Sequence, residues 1–86
     1  MLTFEDADLV PMALDGGLVV PLLRLTGSEP PEVHIVLGEQ EYSYDRSYNI
    51  KGYSAVMPKY VAELMSVGKK PLVIERPTRY YLYVAS

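Results

Sequence analysis

The twenty residues from Glu41 to Tyr60, EYSYDRSYNIKGYSAVMPKY, constrain this chain more than any other stretch. They hold five of its eight tyrosines and carry it from a strand pattern into a helical one. At a period of two, Tyr42, Tyr44, Arg46, Tyr48 and Ile50 fall on one side of a strand, and Ser43, Asp45, Ser47 and Asn49 on the other. That is a half-buried strand with an aromatic face and a wet face. Tyrosine suits such a boundary, since its ring is apolar and its hydroxyl is not.

The helix follows directly. Pro58 lacks an N–H and already holds a helical φ, so it fits a first turn and pushes Met57 out of the helical region. Tyr60, Val61, Leu64 and Met65 then make one apolar stripe, away from Lys59, Ala62, Glu63 and Ser66. Gly68 is placed for a left-handed cap, and Pro71 prevents continuation. Lys69 and Lys70 offset the negative end of the helix dipole. A helix of roughly ten residues is unstable alone in water, so this one must dock on a sheet.

The remaining segments read as hairpins. Val10, Met12 and Leu14 alternate as a strand, Asp15-Gly16-Gly17 is a tight turn, and LVVPLLRL from Leu18 to Leu25 returns. Pro11 and Pro21, one in each arm, cannot donate to a ladder, which predicts an edge position or a bulge at one of them. Upstream, Thr3 and Asp6 loosely imitate a capping box, so residues 3–10 are open to a helical turn or a strand, with the strand preferred. After the connector Thr26–Pro31, residues 32–37 and 41–49 form a second hairpin around Gly38-Glu39-Gln40. Leu72–Glu75 is a further strand, Arg76-Pro77-Thr78 a turn, and Arg79–Val84 a final strand. There Tyr80, Leu82 and Val84 face one way, and Arg79, Tyr81 and Tyr83 the other.

Eighty-six residues make a single domain, residues 1–86, with a modest core. Without cysteine there is no disulfide framework, thiolate metal site or thiol nucleophile, so packing or self-association must hold the fold. The acidic start MLTFEDAD has no basic n-region, and no apolar run approaches the ~18 residues of a membrane span. A cytoplasmic setting is therefore expected. Net charge is −3, but unevenly spread: residues 1–45 hold nine acidic residues and one basic, residues 46–86 seven basic and two acidic. Such polarity hints at an interaction surface, including head-to-tail self-contact, unless folding interleaves the halves.

Catalytic and metal chemistry find no support. His34 is the only histidine and has no oriented partner in the sequence. Glu5, Asp6 and Asp8 lack the spacing of a calcium loop and read as a solvated acidic edge. The glycines form no phosphate-binding pattern. What remains is aromatic plus basic: Tyr42, Tyr44, Arg46 and Tyr48 on one strand, and Arg79, Tyr81 and Tyr83 on another.

Those seven are the candidate partner-binding residues. Tyr and Arg are enriched in protein interfaces, and an aromatic edge strand at the C-terminus would invite strand addition or a symmetric dimer. The same faces would alternatively stack the bases of a single-stranded nucleic acid, although the acidic balance opposes phosphate. The expected fold is α+β: a small, mostly antiparallel sheet of hairpins in the order ββ-ββ-α-ββ with one helix packed on it. A partly closed β-barrel with one helix is the alternative. The expected function is non-enzymatic binding of a partner protein or of a second copy, in an accessory or inhibitory role, viral settings included. No cofactor, metal, membrane or small-molecule substrate is indicated.

Overall fold

Among the described residues (2–5, 8–27 and 29–86) of the computed structural model, seven strands and one α-helix form. They are β1 (Leu2–Phe4), β2 (Val10–Ala13), β3 (Val19–Arg24), β4 (His34–Leu37), β5 (Gln40–Asn49), α1 (Met57–Ser66), β6 (Lys70–Glu75) and β7 (Arg79–Ala85). The three expected hairpins are present: β2 with β3, β4 with β5, and β6 with β7, each antiparallel. Gly16 and Gly17, at φ +87° and +82°, turn the first, a conformation in which a Cβ would clash.

The sheet corrects the expected architecture. Its order is β1-β4-β5-β7-β6-β3-β2, and it is mixed, because β1 runs parallel to β4 and β3 parallel to β6. Three-residue β1 is too short to show a period, which is why the hairpin order omitted it. Thr3 lies in that strand; Asp6, its supposed capping partner and part of the acidic edge, lies outside the described residues. The final strand is not an edge: β7 sits between β5 and β6.

Two apolar clusters lie on opposite faces. On one, Met57 and Val61 of α1 pack with Met12, Leu14, Val20, Leu22, Val73 and Leu82. On the other, Leu23, Ile35, Leu37, Tyr42, Leu72, Ile74, Tyr83 and Ala85 are buried, and among the described residues α1 contributes nothing to them. The curl of the sheet as a half-barrel, with Leu9 and Leu25 from the connecting segments, covers that face. Phe4 of β1 and Leu25 beyond β3 line one cavity, showing how far the sheet has rolled.

Helix α1 has Pro58 in its first turn as expected but begins at Met57, which was expected outside it, and its fully buried residues are Met57, Pro58 and Val61. Leu64 is half-buried, and Met65, placed in the stripe by periodicity, is 41 % exposed. The C-terminus closes as expected: Gly68, at φ +81°, donates to the Met65 carbonyl, and Lys69 N–H donates to that of Leu64. No helix among the described residues is long and apolar enough to cross a membrane.

Folding also interleaves the charged halves. Strands β7 and β6 come from the second half of the chain, β5 (Gln40–Asn49) straddles the divide, and strands of the first half flank them on both sides. Arg24 pairs with Glu75 at 2.9 Å and Arg76 with Glu29 at 3.1 Å across that divide. The acidic and basic halves of the sequence thus share one sheet and do not form separate lobes.

Candidate partner-binding surface

The candidate surface is shaped by one irregularity. Tyr44 lies opposite Tyr83, and Arg46 opposite Leu82, so Asp45 has no partner in β7. This extra residue is a β-bulge, and it reverses the alternation of β5 beyond it. Tyr42 and Tyr44 remain with Tyr83 inside the half-barrel, whereas Tyr48, opposite Tyr80, packs against the helix-side core. The expectation that Tyr42, Tyr44, Arg46 and Tyr48 share one face is therefore overturned. Nothing in the local sequence marks the bulge, because Asp45 fits the polar side of an unbroken strand equally well.

On the helix side, the bulge sets Asp45 and Arg46 against α1. The Tyr60 hydroxyl donates to Asp45 Oδ2 at 2.6 Å, Arg46 Nε donates to the same oxygen at 3.2 Å, and the Arg46 guanidinium lies 3.8 Å above the Tyr60 ring. The bond to Asp45 holds the Tyr60 hydroxyl above its ordinary titration range. Burial does the same to Tyr48, partly offset by the Arg46 charge, yet the Tyr48 hydroxyl is enclosed without a hydrogen-bond partner. Arg46 acts on it through its field and not through a well-formed bond.

Inside the half-barrel the candidates divide again. Tyr42 and Tyr83 belong to the core, 7 % and 2 % exposed. The Tyr83 hydroxyl donates to the Glu32 carbonyl at 2.6 Å, and burial pushes it up to about 12. Tyr44 packs edge-on to Tyr81 at 6.0 Å and tilted against Tyr83 at 5.6 Å. Tyr44 and Tyr81 are half-buried, and Arg79 beside them donates through Nε to Ser47 Oγ at 3.0 Å. Of the seven candidates, the structure gathers Tyr44, Tyr81 and Arg79 into one strip backed by Tyr83. Ser47 was not singled out from sequence, since its value lies in a register that hydrophobic pattern cannot give.

Aromatic rings on both sides of the sheet pack against neighbours. Tyr44 meets both Tyr81 and Tyr83, Arg46 covers Tyr60, and Tyr53 packs edge-on to Tyr80 at 4.7 Å. A base-stacking platform needs open ring faces.

The sheet edges are poorly suited to strand addition. Leu14 N–H donates to the Leu18 carbonyl at 2.8 Å, which makes that pair, and by alternation Met12–Val20 and Val10–Leu22, the hydrogen-bonded pairs of β2 and β3. Pro11 and Pro21 consequently face each other in a non-bonded pair, and the Pro11 nitrogen points outward from edge strand β2 without a proton. The sequence expectation of a proline at an edge is met here. The opposite edge, β1, has three residues.

Comparison with protein-family models, curated proteins and solved structures finds no match to this chain. Enzyme-like groupings are also weak. His34 has Ser43 Oγ at 3.2 Å and Glu41 Oε1 at 3.6 Å, but both approach Nδ1, and all three side chains are exposed. A relay needs the acid and the nucleophile on opposite ring nitrogens. Among the described residues no group of three acidic or histidine side chains is placed to hold a metal.

Proposed function

We propose that this domain is a non-enzymatic protein-binding module that pairs with a second copy of itself through Tyr44, Tyr81 and Arg79. The carrying observation is the pre-set aromatic pair: Tyr44 and Tyr81, locked at 6.0 Å over a core tyrosine, with Arg79 pinned by Ser47. Side chains already held in place lose little freedom on binding, and Tyr and Arg are the usual anchors of such surfaces. Contact is through the sheet face, because β7 is interior and Pro11 removes a donor from edge β2. A cytoplasmic setting accords with a fold held together without cysteine.

Sedimentation equilibrium tests this reading. The wild type should dimerise at micromolar concentration, and Tyr81→Ala, still folded, should weaken the dimer by about 2 kcal/mol. A strict monomer, or a dimer indifferent to Tyr81→Ala, contradicts it. Salt-sensitive binding of a labelled single-stranded oligonucleotide would favour the nucleic-acid reading instead.

A further inference from the structure

A second feature lies beside the aromatic strip, joined to it through the bond from the Tyr83 hydroxyl to the Glu32 carbonyl. Phe4, Leu25 and Pro30 line a cavity of about 370 Å³, together with Arg76, Glu29 and Glu32. That is within the roughly 300–1,000 Å³ of small-molecule sites. Arg76 follows β6, and its side chain is 13 % exposed. Its Nη1 is fixed by the Thr26 carbonyl at 2.6 Å and carries the Glu29 carboxylate at 3.1 Å. Glu29, in contrast, is 70 % exposed. The cation is built in, and the carboxylate reaches it from solvent.

The geometry points to a binding site for a small amphipathic carboxylate, whose head replaces the Glu29 carboxylate on Arg76 and whose apolar tail lies against Phe4, Leu25 and Pro30. Guanidinium presents several donors in one plane and is matched to a carboxylate, while an alcohol of equal length offers no charge. Glu29 is the internal competitor. Glu32 on the rim also opposes an anion, so the tail must supply much of the binding energy.

The test is an NMR titration of the whole chain at neutral pH with octanoate, and separately with octanol. Octanoate should shift the resonances of Phe4, Leu25 and Arg76, and octanol should bind at least about tenfold more weakly. Glu29→Gln removes the competing charge and should bind octanoate about tenfold more tightly. Arg76→Met should lose the preference for carboxylate over alcohol; if that variant does not fold, the Glu29→Gln result decides. Equal binding of octanoate and octanol, no gain in Glu29→Gln, or shifts elsewhere in the protein would each overturn the assignment.

Discussion

Tyr60 of the helix donates its hydroxyl to Asp45, the unpaired residue of the β5 bulge, at 2.6 Å. One side chain thereby ties α1 to the point where the central strand changes face. Tyr60→Phe removes the bond and leaves the ring beneath Arg46. A hydrogen bond to a charged acceptor is worth more than a neutral one, although partial exposure reduces it, so Tyr60→Phe should cost about 1–2 kcal/mol in chemical denaturation. Lys59→Ala, on the exposed side of the same helix, should change stability by less than about 0.5 kcal/mol. Equal effects would mean that the bulge is not anchored through Tyr60.

The enclosed Tyr48 hydroxyl gives the opposite expectation. It forgoes its hydrogen bonds to water and gains none from protein. Tyr48→Phe keeps the ring and removes the stranded group, so its denaturation midpoint should equal or exceed that of the wild type. A loss of 1 kcal/mol or more, on the roughly 0.5–1.5 kcal/mol scale of an ordinary hydrogen bond, would show that Arg46 or water satisfies the hydroxyl in solution.

These two tyrosines also show where sequence reasoning stops. The helix, its Gly68 cap and three hairpins were legible, because glycine and proline act locally and apolar periodicity reports burial. The face shared by Arg79, Tyr81 and Tyr83 was legible too, since β7 pairs regularly with β6 throughout. Strand order was not, because β7 becomes interior through long-range pairing with β5 that no local pattern encodes. Nor was the split between Tyr44 and Tyr48, which needs only one unpaired residue. The helix stripe was legible in Tyr60, Val61 and Leu64, which all pack against the core with Met57; only Met65 falls outside it, 41 % exposed, a limit set by the reach of the sheet beneath.

Alkaline titration should expose Tyr83. Burial raises its hydroxyl to about 12 in the folded protein, against ~10 for an unfolded chain. The folded state retains the proton longer, so this contribution is fully present below pH ~10 and is lost as pH rises toward about 12. Over that window the wild type should lose roughly 1–3 kcal/mol on this account. Tyr83→Phe, less stable at neutral pH through loss of the bond to Glu32, should show a shallower alkaline decline. Parallel pH profiles would place the high-titrating group elsewhere.

Pro11 should act as a guard on edge β2. Pro11→Val restores an outward N–H at an exposed position and suits a strand, so the fold should remain stable. Light scattering should then show association beyond the dimer that increases with concentration, as two such edges pair. A profile identical to the wild type would mean that edge pairing is blocked by something other than the missing donor.

The most direct test of the account follows backbone and side-chain NMR shifts as the wild-type protein is concentrated through the micromolar range. Association through the aromatic strip predicts progressive shifts at Tyr44, Tyr81, Arg79 and Ser47, with His34 and Glu41 on the outer side of β4 and β5 unmoved. Shifts confined to Pro11 and Val19 at the β2–β3 edge, or no concentration dependence at any residue, would contradict it.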